Sequence, residues 1–188
     1  MSYQIAVVVG SLRRESINRQ LAAALVKMAP QQLNMALVRI DDLPLYNQDD
    51  EKNPAEAVKR LKDEVANSQG VLFVTPEYNR SVPGVLKNAI DHASRPYGQS
   101  AWAGKPAAVI GMSGGAIGTA MAQQHLRNVL AYLDMPTLGQ PEAFIQNKQG
   151  MFAPDGSIAI EDTKQFLGKF LDRFADWVKH HADRVANK

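Results

Sequence analysis

A run of five apolar residues, Ile5-Ala6-Val7-Val8-Val9, ends abruptly at Gly10 and constrains this chain more than any other feature. β-Branched side chains at successive positions favour extended backbone, and neighbouring residues of a strand point to opposite faces, so this strand is apolar on both. Such a strand needs cover on two sides, which is the condition inside a parallel sheet flanked by helices. Residues 70–74 and 107–111 repeat the pattern.

The segments between these runs carry helical periodicity. A first helix is expected over residues 16 to about 29, stopped by Pro30, and a second strand over 35–40, followed by the loop 41–47. Pro54 stands where a helix start favours proline, with Ala57, Val58, Leu61 and Val65 along one face of the helix it opens. After the third strand, residues 85–94 form a helix that buries Leu86, Ala89 and Ile90, closed by Arg95-Pro96-Tyr97-Gly98. The fourth strand leads into the turn Met112-Ser113-Gly114-Gly115 and a long helix over residues 117–133. Thr137-Leu138 and the stretch to Phe144 read as a short fifth strand, and residues 146–158 as a surface excursion. The last helix, about 161–184, carries Phe166, Phe170, Phe174 and Trp177 as a core-facing stripe. Strands alternating with helices, without an internal repeat, predict an α/β fold: one doubly wound, mostly parallel sheet in a single domain over residues 1–188.

Composition narrows the chemistry. The 21 Lys and Arg residues against 19 Asp and Glu are scattered, so the net charge of +2 leaves no basic stripe for nucleic acid and suits anionic small molecules at most. The chain has no cysteine, which removes thiolate nucleophiles, disulfides and Cys-ligated metals, so any redox chemistry must run through a bound cofactor. His92 and His125 fall on separate helices, while adjacent His180 and His181 point to different faces of the last one; no metal site is expected. No secretory leader and no apolar run of membrane-spanning length is visible, which makes the cytoplasm the expected location.

Three loops carry the polar chemistry. Gly10-Ser11-Leu12-Arg13-Arg14-Glu15-Ser16-Ile17-Asn18-Arg19 brings hydroxyls, an amide, guanidiniums and a helix start together, a combination that holds a terminal monophosphate. It lacks both GxGxxG and GxxxxGK[ST], which weakens dinucleotide and nucleoside triphosphate readings. On the plainer reading Ser16 is only an N-cap and the arginines are solvated. Thr75-Pro76-Glu77-Tyr78-Asn79-Arg80-Ser81-Val82-Pro83-Gly84 is a stiff, shaped loop that can present backbone to a flat ligand, or an ordinary strand-to-helix connection. Ser113-Gly114-Gly115 is a small-residue turn, and Gly111 to Gly115 also satisfies the bare GxSxG pattern. A binding turn is the better reading, because the only late histidines lie on the amphipathic last helix. Asp41 and Asp42 follow the second strand where a ribose-binding acid would sit; without the glycine fingerprint, capping is their expected role. The loops after the first, third and fourth strands line one crevice in a flavodoxin-like sheet of order 2-1-3-4-5.

Gly10-Ser11-Leu12-Arg13 with Ser16 and Asn18, then Thr75-Pro76-Glu77-Tyr78-Asn79 with Ser81, Pro83-Gly84 and Lys87-Asn88-Ala89-Ile90-Asp91, closely resembles the NADPH-dependent FMN reductase family, its quinone and chromate reductases above all. The resemblance implies that Ser11, Arg13, Ser16 and Asn18 hold the phosphate of a noncovalent FMN. It implies that Pro76, Glu77, Tyr78 and Asn79 run along the isoalloxazine, and that Ser113 and Gly114 contact its pyrimidine side. NADPH or NADH would pass hydride to flavin N5 and leave before quinones, chromate, azo or nitro compounds take the electrons, a ping-pong cycle that requires no acid or base side chain; no catalytic residue is named. Arg80 is assigned no role in flavin binding and is left as a candidate contact for the phosphate of the nicotinamide donor. The family forms homodimers or homotetramers, with Arg127 and Glu142 as candidates for an intersubunit ion pair. The competing readings are a flavodoxin-like one-electron carrier, disfavoured by the mildly basic charge and the Ser/Arg loop, and a partner-binding α/β domain without cofactor.

Overall fold

The computed structural model describes residues 2–186. Strands β1 (Tyr3–Val9), β2 (Leu33–Val38), β3 (Gly70–Val74), β4 (Ala107–Ser113) and β5 (Ala143–Gln146) form one parallel sheet in the order β2-β1-β3-β4-β5. This is the flavodoxin-like order expected from the sequence. The three interior strands are the three apolar runs: Val7, Val8, Leu72, Phe73, Val109 and Ile110 have no solvent exposure.

Alternation along β1 divides the core. Ile5, Val7 and Val9 face helices α1 (Ile17–Lys27) and α5 (Glu161–Ala186), whereas Ala6 and Val8 face α2 (Glu56–Ala66), α3 (Gly84–Ala93) and α4 (Ala120–Tyr132). The aromatic stripe of α5 enters the first layer through buried Phe170 and Phe174, with Phe166 and Trp177 packed at its margin. Burying side chains of this size contributes about 1.5–3 kcal/mol each, so the two layers carry most of the stability.

Register sets the position of the loops. Val9 pairs with Val74 and Val74 with Ile110, so β1, β3 and β4 run level at one edge of the sheet. The Gly10 N–H donates to the Val74 carbonyl and the Thr75 N–H to that of Ile110, both at 2.9 Å, carrying the pairing past the strand ends. Three connections therefore leave side by side.

The structure shifts several elements from their expected places. Thr137 makes only an isolated bridge to Ala107, and the fifth strand begins at Ala143. Helix α4 starts at Ala120 rather than residue 117, because Gly118 has φ +63°, outside the helical region. The stretch after β5 is not wholly superficial: Met151 and Ile158 are buried, and Phe152 bridges to Ile158.

Gly111 shows how tightly the two loop-bearing strands approach. A Cβ there would lie 2.1 Å from both the Thr75 carbonyl oxygen and Thr119 Oγ1, so the GxSxG pattern reflects packing at its first position. Gly111→Ala is expected to lower stability by about 1–3 kcal/mol or more, read as a reduced denaturant midpoint. An unchanged midpoint would show that Thr75 and Thr119 are not held in place.

Candidate functional site

The connection from β1 to α1 builds a cup of donors. Ser16 is the N-cap of α1, with extended backbone and its Oγ accepting the Arg19 N–H at 3.2 Å. Helix geometry leaves the N–H groups of Ile17 and Asn18 without intrahelical acceptors, and the first turn holds no acidic residue, so the helix end favours an anion. Ser11 is buried, and its hydroxyl makes no hydrogen bond among the described residues. Arg13 lies 4.0 Å from Glu15 with 73% of its side chain exposed, a loose pair that leaves the guanidinium free to turn toward a ligand. Asn18 stands apart from this set. Its side-chain amide is buried against β4, donating to the Met112 carbonyl at 2.8 Å and accepting the Met112 N–H at 2.9 Å.

The connection after β3 is shaped by its own hydrogen bonds. Thr75 is buried with its hydroxyl donating to the Pro76 carbonyl at 2.8 Å, and Pro76 is buried beside it. Tyr78 and Ser81 exchange backbone hydrogen bonds of 3.1 and 3.0 Å around Asn79 and Arg80, whose φ values are 51° and 64°. Two consecutive left-handed residues identify a type I′ turn, a local hairpin inside a strand-to-helix connection.

Glu77 anchors that hairpin from below. Its Oε2 accepts the N–H groups of Met121 at 2.9 Å and Ala122 at 3.1 Å, while Thr119, the N-cap residue of α4, makes no side-chain cap bond. The carboxylate thus caps a helix 44 residues downstream, where its charge opposes the positive end of the helix dipole. Its other oxygen lies 3.3 Å from Arg80, and Ser81 Oγ lies 3.0 Å from His125 Nδ1 on the same helix. The sequence holds no hint of this bracing, because Thr119 is a residue type that ordinarily caps a helix itself. His125 carries no signal either.

The third connection leaves from the end of β4. Ser113 belongs to the strand, and its Oγ accepts the Gly115 N–H at 3.2 Å and donates to the Gly115 carbonyl at 3.1 Å. The hydroxyl is turned into its own turn and not toward a general base. A Cβ at Gly114 would meet nothing within 4 Å, so this stretch of backbone borders open space.

Four exposed apolar residues, Leu12, Tyr78, Ile117 and Met121, lie on these three connections and the first turn of α4. The residues fit a ligand with an anionic end and a flat body: donors gather at α1, a stiff backbone runs from Pro76 to Asn79, and Gly114 leaves room beside them.

The remaining candidates have local roles. Asp41 pairs with Arg39 at 3.1 Å, and Arg60 grips Asp42 through bonds of 2.6 and 2.9 Å, so both acids hold guanidiniums instead of capping turns. Arg127 donates from Nη1 to the Leu138 carbonyl at 2.7 Å, and burial pulls its pKa down against the opposing pull of Glu142. Glu142 in turn accepts from Gln124 at 3.0 Å.

The chain is similar to known proteins over most of its length. The family model described as NADPH-dependent FMN reductase matches residues 3–150. The chain is 53% identical over 179 residues to the 2-hydroxy-1,4-benzoquinone reductase of a Burkholderia species, covering 95% of this chain and 98% of that one. It is 55% identical over 178 residues to a quinone reductase of Pseudomonas putida, covering 94% and 95% respectively. Among solved structures, the flavoenzyme NAD(P)H:(acceptor) oxidoreductase FerB of Paracoccus denitrificans superposes with a TM-score of 0.92 at 50% identity, over 95% of this chain and 98% of that one.

Glu77→Ala is expected to cost about 0.5–2 kcal/mol of stability through the lost cap, with Glu77→Gln losing less because an oxygen acceptor remains. Denaturation and faster amide exchange at Met121 and Ala122 read the effect, and equal losses in both variants would contradict the capping role. Asp42, held at a pKa of about 2 by the Arg60 hydrogen bonds, contributes stability present above its unfolded value and lost as pH falls through about 2. In Arg60→Ala its titration, followed by carboxyl NMR shifts, should move up toward about 3.9.

Proposed function

The chain belongs to the NADPH-dependent FMN reductase family, and we propose that it holds one noncovalent FMN at the C-terminal edge of its sheet and reduces quinones with NADPH or NADH. The observation that carries this reading is the juxtaposition of the α1 donor cup with the 75–81 connection braced on α4. Ser11, Arg13, Ser16 and the first-turn amides of α1, Asn18 among them, would receive the phosphate. Pro76, Glu77, Tyr78 and Asn79 would form the wall along the ring, and Ser113 with Gly114 the pyrimidine end.

Bound FMN supplies the redox chemistry, taking a hydride from the nicotinamide and returning two electrons to the acceptor. The protein's part is placement. The α1 terminus fixes the anionic end, and the Asn79-Arg80 turn, clamped through Glu77 and Ser81, keeps its wall rigid beside an open approach flanked by Tyr78 and Met121. One approach serving donor and acceptor in succession gives ping-pong kinetics, and a shallow apolar rim suits quinones and extends to aromatic azo and nitro acceptors, while chromate, a dianion, would draw instead on the exposed Arg80 guanidinium at the hairpin tip. The names of the relatives support the quinone assignment.

We extend the proposal to assembly and location. Tyr97 and Tyr132 are 84% and 83% exposed and border a groove between α3 and α4, a surface suited to a homodimer or homotetramer. Among the described residues no helix is long and apolar enough to cross a membrane, which is compatible with a cytoplasmic enzyme.

The purified protein is expected to be yellow, to release FMN on denaturation, and to catalyse NAD(P)H-dependent quinone reduction unaided, with parallel double-reciprocal plots. Release of FAD, or failure of a colourless preparation to take up FMN, would overturn the cofactor assignment. Flavin left oxidised by both nicotinamides would overturn the enzyme and favour the electron carrier.

A further inference from the structure

Resting on the assignment of the cleft to FMN, we infer that Asn18 is a positioning residue that fixes the distance between the phosphate cup and the Ser113-Gly114 turn, and that its side chain does not touch the phosphate. The argument starts where β3 stops. The Thr75 N–H donates to the Ile110 carbonyl at 2.9 Å, and the next residue, Pro76, has no N–H to continue the ladder. Along a strand, the N–H and C=O groups of alternate residues point to the same side, so Met112 directs both of its groups where Ile110 does, toward the space β3 has vacated.

Asn18 fills that space. Its planar amide donates to the Met112 carbonyl at 2.8 Å and accepts the Met112 N–H at 2.9 Å, reproducing the pair of bonds a neighbouring peptide would make. With 1% of its surface exposed, the side chain is committed to the sheet. Asn18 is the second residue of α1, whose first turn carries the donors of the cup, and Met112 immediately precedes Ser113. The two bonds thus tie the start of α1 to the strand end that leads into the Ser113-Gly114 turn, 94 residues apart in sequence.

Double-mutant cycles on FMN binding, measured by quenching of flavin fluorescence, test the assignment. Asn18→Ala is expected to weaken FMN about tenfold, since two buried bonds are lost. The loss should overlap with that of Ser113→Ala, the double variant being weaker by clearly less than the product of the single effects, and should multiply with that of Arg13→Ala to within about twofold. Asn18→Ser replaces Asn18→Ala if the alanine variant does not fold. Faster amide exchange at Met112 in the variant is expected alongside.

A coupling to Arg13 as large as that to Ser113 would make Asn18 a phosphate ligand, and independence from both would make it a general structural residue; either overturns the inference. So would unchanged FMN affinity in the Asn18 variants, or in Ser113→Ala. A parent protein that takes up no FMN fails before any variant is compared, and that result overturns the functional reading together with the inference.

Discussion

The parallel hydrogen-bond ladder joining β1, β3 and β4 is the constraint from which the rest of the structure follows. Because Val9, Val74 and Ile110 are brought into line, the three connections that follow are delivered to one edge, and because each strand is apolar on both faces, that alignment is locked between two layers of helices. The edge itself is a place where regular pairing runs out. Backbone groups left there must find other partners, and the partners they find shape the cleft.

Three polar side chains act as substitutes for missing backbone. Asn18 stands in for a strand beside Met112, Glu77 for a preceding turn at the start of α4, and Ser16 for the acceptor that Arg19 lacks at the start of α1. Two of the three act over long sequence separations, so the cleft is assembled by the whole domain folding and not by local loop preference. This explains how short connections reach a defined geometry in a chain without cysteine to cross-link them.

The sequence carries the fold more fully than the site. Continuous apolar runs can be recognised residue by residue, since strand burial is written in local composition, and the helices announce themselves by periodicity. The fifth strand does not: Ala143-Phe144-Ile145-Gln146 is only four residues long, and Thr137-Leu138 before it, which makes just an isolated bridge to Ala107, reads as part of the same strand. In the candidate site, the grouping of polar residues in three loops is legible in the sequence and the fold brings those loops to one edge, whereas the bonding of the individual side chains is not legible. Ser16 shows both readings at once, capping α1 while lining its anion-favouring end. Glu77 and Asn18 are the sharper lesson, because a carboxylate and an amide near a ligand cleft suggest contact with the ligand, and only tertiary geometry reveals that their atoms are already engaged by Met121, Ala122 and Met112.

The type I′ turn at Asn79-Arg80 also limits how this cleft can diverge. Tyr78 and Ser81 are joined by a two-residue link whose backbone is left-handed at both positions, so side chains at the tip can be exchanged among residues that tolerate positive φ without moving the wall. Changing the link by a single residue is different, because it shifts the pairing of Tyr78 with Ser81 and turns one of them away from its present face. Glu77 and Ser81, tied to α4 on either side of the hairpin, could not then both reach their partners. In this fold the length of that loop is a harder constraint than its chemistry, and variants adapted to new acceptors should differ there by replacement and not by insertion.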